Sequence, residues 1–183
     1  MVFMKLKEKI FEYLQERQPE RTPRFPHFDK PLNVLVIYES DLIERNDAIK
    51  TIQQDLRRKG MDVTFWGFVP KKSKEITSPI LPQSRIIGFD EYNLFGKPKE
   101  EVLEALQARK YHLLLDLTTH HCMQLRYLAM YARADCKVGL NLGEGLHDML
   151  IAPPDLDAEK ARPEITWLYN LMVQYLTMIQ SKD

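Results

Sequence analysis

The run Leu113-Leu114-Leu115-Asp116-Leu117-Thr118-Thr119-His120-His121 places a carboxylate, two hydroxyls and two imidazoles directly after an apolar stretch. A buried carboxylate must be paired or hydrogen-bonded. Asp116 therefore reads as a ligand-holding or catalytic carboxylate, or as an acceptor for the backbone of a neighbouring loop. Thr118 and Thr119 stand where a strand gives way to a helix. Their hydroxyls, with free helix N-terminal amides, would hold an anion, and His120 or His121 would add charge or a proton. A threonine that caps the helix accounts for the same residues.

Metal chemistry is the other reading of His120, His121, Cys122, Cys136 and His147. Their spacing departs from paired ligand patterns such as C-x₂-C, and adjacent histidines point apart, so no metal is expected. Convergence of Glu39, Asp41 or Glu144 on the histidines would be needed to reverse that. Gly143-Glu144-Gly145 is a lone G-x-G, better suited to a turn than to a phosphate cradle. The chain contains no G-x-G-x-x-G, P-loop, G-x-S-x-G or H-E-x-x-H motif. Lys71, Lys72 and Lys74 read as a solvated basic loop, and Trp66 and Trp167 as packing residues.

The elements that must position these groups follow from hydrophobic period. Residues 2–18 show Phe3, Leu6, Ile10 and Leu14 at helical spacing, with Phe11 beside them. The prolines at 23, 26 and 31 then forbid a helix. Residues 1–31 are thus a helix and an extended linker, and this helix must dock on the body, a partner or a second copy. Residues 32–183 form the main domain. Its apolar, β-branched runs at Leu32–Tyr38, Met61–Trp66, Arg85–Phe89, Tyr111–Leu117 and Cys136–Leu140 suit strands buried on both faces, as in a parallel sheet. Met149–Ile151 is a candidate sixth strand.

Helices alternate with these strands. One spans about Ile43 to Lys59, capped by Asp41 with Glu44 and stopped at Gly60. Another opens at Pro98 and carries Val102, Leu103 and Leu106 inward. A third ends near Arg133 with Leu125, Leu128 and Ala129 buried. The last, with Pro163 in its first turn, lines up Ile165, Leu168, Met172, Leu176 and Ile179. The expectation is an α/β, three-layer αβα fold with a mostly parallel, five- or six-stranded Rossmann-like sheet and extra N- and C-terminal helices. Strand order 3-2-1-4-5 comes first and a flavodoxin-like order second.

In open α/β sheets the ligand crevice lies at the carboxyl ends of the strands where the order reverses. For order 3-2-1-4-5 that is between strands one and four, with strand five adjacent. This selects Ser40, Asp41, Asp116, Thr118, Thr119, His120, His121 and Asn141 as candidate ligand-binding residues. Two acids and no glycine follow strand one, which argues against a dinucleotide fingerprint.

The totals limit the function classes. At 183 residues the chain can bury a full core, and 26 basic against 26 acidic residues argue against a dedicated nucleic-acid binder. Two cysteines, no run long enough to span a membrane and no secretory signal point to the cytosol.

The segments Tyr111–Leu117, Leu125–Ala129 and Ala134–Gly139, with Gly96-Lys97-Pro98 and His147–Ile151, resemble an uncharacterised bacterial family of Rossmann-like α/β domains. That resemblance implies the fold and no activity. The same region is similar, over about 30 residues, to the N-terminal half of heptosyltransferase-type GT-B glycosyltransferases, whose nucleotide sugar sits mainly on a second half that this chain is too short to contain.

The residues name no cofactor and no catalytic signature. The favoured expectation is a non-catalytic ligand-binding module for a small anionic or nucleotide-like ligand. The alternatives are a structural or protein-interaction domain without a small ligand, with a homo-oligomer or protein partner on the terminal helices, and a half-GT-B relative.

Overall fold

The computed structural model describes residues 2–40, 43–70, 84–143, 145–152 and 163–179, with side chains of 43–46 left aside. The elements are α1 (Val2–Glu16), β1 (Asn33–Glu39), α2 (Ile43–Arg58), β2 (Asp62–Phe68), β3 (Ser84–Ile87), α3 (Glu100–Gln107), β4 (Tyr111–Asp116), α4 (Met123–Tyr131), β5 (Ala134–Leu140), β6 (Met149–Ile151) and α5 (Ile165–Met178). The strands form one parallel sheet in the order β3-β2-β1-β4-β5-β6. The fold is a three-layer Rossmann-like α/β architecture with β1 and β4 at its centre.

The sheet separates two apolar layers, as strand alternation requires. Val34, Val36, Leu113, Leu115, Cys136 and Val138 face Ile49, Ile52 and Leu56 of α2 and Leu168, Met172 and Leu176 of α5. Leu35, Ile37, Trp66 and Leu114 face Val102 and Leu106 of α3, Leu125 and Leu128 of α4, and Phe11 of α1. Trp66 is a packing residue with the Arg85 guanidinium over its ring, and Trp167 packs at the edge of the α2/α5 layer.

Helix α1 docks on its own body. Phe11 is fully buried, its ring edge-on to Tyr127 at 5.0 Å, and the Arg126 guanidinium lies 4.1 Å from the Phe11 centroid. Arg126 Nη1 also reaches Glu8 at 2.7 Å, where Glu8 is half-exposed. An exposed ion pair contributes at most about 1 kcal/mol, whereas burying a phenylalanine contributes about 1.5–3 kcal/mol. Phe11 is therefore the anchor, and Glu8–Arg126 sets the helix's rotation over it.

Two helix starts differ from the sequence reading. Lys99 caps α3 in extended conformation, so Pro98 stands outside the helix and bridges to Tyr92 instead of opening it. Glu164 is the cap of α5, which leaves Pro163 before the first turn. The Asp41–Glu44 cap and the Lys71, Lys72 and Lys74 loop lie outside the described residues or side chains. Gly60 does take the left-handed stop after α2, at φ 77°.

Replacing Phe11 with Ala should cost about 3–5 kcal/mol of unfolding free energy in urea titrations, and removing Glu8's carboxylate should cost under about 1 kcal/mol.

Candidate functional site

Strands β1 and β4 end side by side, with Ile37 opposite Asp116. Glu39 closes β1, and Asp116 closes β4 on the α4 side of the sheet. Both are buried, and both lie within reach of a histidine. His120 Nε2 is 3.0 Å from Glu39 Oε2, an ion-pair contact set off the line of a good hydrogen bond. His147 Nε2 is 2.9 Å from Asp116 Oδ2. The other Asp116 oxygen accepts the Thr118 backbone N–H at 2.9 Å and the Thr118 hydroxyl. Asp116 thus accepts the backbone of the loop that follows β4, one of the two readings of its sequence, and it also pairs with His147.

The His147 ring reaches Asp116 only because Gly139 lies beneath it. Gly139 is the register partner of Asp116 on β5. A Cβ there would stand 2.5 Å from His147 Nε2 and 2.6 Å from Cε1, far inside contact distance. The same device recurs on β2, where Gly67, the partner of Tyr38, leaves room for the Tyr38 ring.

Cys122 sits beneath these pairs as the residue before α4. Burial pushes its thiol up to about 11, and the Glu39 and Asp116 carboxylates add to the shift against the amides of Leu125 and Gln124. At neutral pH it is a thiol, a poor nucleophile. Cys136 lies on the opposite face of the sheet, in the α2/α5 layer, with its thiol raised by burial to about 12. His120, His121, Cys122, Cys136 and His147 therefore do not share one centre. Among the described residues no group of three His, Cys, Asp or Glu is placed to hold a metal.

The predicted residues divide clearly. Ser40, Asp116, Thr118 and Thr119 are buried at the ends of β1 and β4, and His120 joins them through Glu39. Ser40 extends the β1–β2 pairing, its N–H donating to Phe68 O at 2.7 Å. Thr118 and Thr119 do not cap α4; its cap is Cys122. The chain needs four more residues to turn from β4 into α4, and Thr118 spends its hydroxyl on Asp116. His121 points away from His120. It lines a separate cavity of about 510 Å³ with Glu8, Glu12 and Gln15 of α1, Arg126 and the 142–143 turn. Asn141 is exposed and closes its own turn, Oδ1 accepting the Gly143 N–H at 3.2 Å where Gly143 has φ 76°. Asp41 and Glu144 lie outside the described residues.

The sequence offers His147 only as a metal ligand, and nothing in its spacing pairs it with Asp116. The available signal was Gly139, a glycine inside a buried strand, which marks a close approach by another group.

A family model described as a family of unknown function (DUF6913) matches residues 4–179. The chain belongs to that family. The match takes in nearly all of α1 as well as the sheet and α5, so the docked N-terminal helix is part of the matched unit. No curated protein matches the chain, and no solved structure does. Membership in DUF6913 carries no activity, and the site's chemistry has to be read from its geometry. No described helix is long and apolar enough to cross a membrane.

Gly139→Ala should destabilise the fold by about 1–3 kcal/mol, the usual cost of overpacking, and shift the His147 ring resonances. In a double-mutant cycle, His147→Ala should recover part of that loss, because the two changes act on one contact. Strict additivity in denaturant titrations would show that the ring does not rest on Gly139.

Proposed function

We propose that this chain is a ligand-binding α/β module that holds a small nucleotide-like molecule at the carboxyl ends of β1 and β4 and performs no reaction on it. One observation carries the reading. Among the described residues the buried polar or charged ones are Glu39, Ser40, Gln53, Asp116, Thr118, Thr119 and Lys137, and five of these seven cluster at that one end of the two central strands. Burying such groups is costly unless they are answered, and a crevice at the switch point is where an α/β sheet puts them to use.

The electrostatics select which part of a ligand would enter. A bare phosphate between Glu39 and Asp116 would face two carboxylates. A nucleobase or ribose presents N–H and O–H donors, which carboxylates accept well. In this reading the base or sugar end enters and any phosphate stays outside. His120 Nδ1, buried and without a hydrogen-bond partner among the described residues, offers a further contact. Holding is favoured over reaction because Thr118's hydroxyl is committed to Asp116 and Cys122 is a protonated thiol.

Thermal unfolding of the full chain with the four common nucleosides and their monophosphates tests this. A ligand present at a hundredfold excess over its Kd adds about 2.7 kcal/mol, which for a chain of this size raises Tm by roughly 5–10 °C. Glu39→Gln, nearly isosteric, should abolish the shift. If no nucleoside or nucleotide moves Tm, the proposal fails.

A further inference from the structure

We propose a second binding site, for a small di- or polyanion such as a dicarboxylate or phosphate, in the cavity where α1, α3 and α4 end over β5. The cavity holds about 580 Å³, and its walls include Lys137, Arg133, Arg21 and the amides Gln15, Gln18 and Gln107, with no carboxylate among the described lining residues. That volume falls in the usual range for small-molecule sites. It shares no lining residue with the buried polar cluster at the ends of β1 and β4.

The charges in this cavity are unevenly answered. Arg21 is neutralised: its Nη2 lies 2.7 Å from both Asp148 oxygens, and its Nη1 donates to Ala134 O at 2.9 Å. Among the described residues Arg133 donates only to the Gln107 carbonyl, at 3.1 Å. Lys137 is 5% exposed, and its Nζ donates to the Ala129 and Met130 carbonyls at 2.6 and 3.1 Å. Those carbonyls form the negative end of α4, a partial charge at most. Two of the three ammonium donors are used, which leaves one. Two cations thus share a cavity wall, and no carboxylate forms an ion pair with either among the described residues. A buried cation of this kind is strongly stabilised by a counter-anion.

The protonation state supports the same conclusion. Burial, and then Arg21, depress the Lys137 ammonium to about 8, with Asp148 opposing. The charged groups that act on it are therefore Arg21 from the linker and Asp148 from the loop before β6; Arg133 and the Tyr131 phenol share the cavity wall, where α1 and α3 contribute amides. A bound anion favours the charged amine and raises its pKa, so binding must draw a proton from solvent above about pH 8 and none well below it.

Isothermal titration of the full chain with succinate, and separately with inorganic phosphate, in buffers of differing ionisation enthalpy tests the proposal. Near pH 9 binding should take up roughly 0.5–0.9 of a proton per anion, and near pH 6.5 the uptake at Lys137 should vanish. Arg133→Gln alters an exposed side chain and leaves the fold standing; it should weaken binding about tenfold or more. Lys137→Met should remove both the proton uptake and the affinity, and the Arg133 variant keeps the test valid if Lys137→Met fails to fold. Glu39→Gln should leave succinate binding unchanged. Absence of binding by both anions at millimolar concentration, or binding that Arg133→Gln does not weaken, would overturn the proposal.

Discussion

A strand covered by helices on both faces has no wet side on which to place a charge. That constraint governs this sheet. Each ionisable group that enters it must be answered by a specific partner within a few ångströms, because solvent cannot do so. Asp116 is answered by Thr118 and His147, Glu39 by His120, and Lys137 by the last carbonyls of α4. These answers fix local geometry. The β4–α4 connection folds back so that Thr118 meets Asp116, the 141–148 loop brings His147 over Gly139, and α4 stops where Lys137 can reach its final turn.

The helix layers follow from the same constraint. The α4 side of the sheet carries the charged residues, and it is also the side that short helices cover. α3 and α4 cannot close it alone, and α1 supplies the missing apolar group through Phe11. The helix that sequence reading set apart as an appendage is thereby continuous with the core. Its inner edge forms walls of two cavities, with Gln15 common to both. Docking α1 therefore shapes surface chemistry as well as burying an aromatic ring.

Most of the fold was legible in the sequence because parallel strands buried on both faces leave unbroken apolar runs, and helices leave a period. The order 3-2-1-4-5 with β6 added came from that alternation. The meeting of β1 and β4 at the centre of the sheet was legible from topology, and Asp116 from its contrast with the leucines around it. What stayed hidden depends on loop paths. Thr118 and Thr119 fit a helix cap by type, but α4 begins only at Met123. Asn141 fits a strand-end ligand by position, yet its side chain closes a turn. His147 is 31 residues from Asp116, and no periodicity links them. Lys137 shows no signal of its own in the sequence, because its burial depends on where α4 ends over that face of β5.

The 141–148 loop joins the two ends of this argument. His147 and Asp148 are neighbours in sequence and turn to different tasks. His147 meets Asp116 at the end of β4, while Asp148 accepts the Lys137 backbone N–H at 2.8 Å and clamps Arg21. Gly139 and Lys137, their counterparts on β5, are two residues apart and so lie on one face of the strand. The peptide between His147 and Asp148 has little freedom, because Asp148 also donates its own N–H to Lys137 O at 2.8 Å. The strand-end pair and the cationic cavity are distinct in chemistry, and adjacent residues of one loop hold a contact of each.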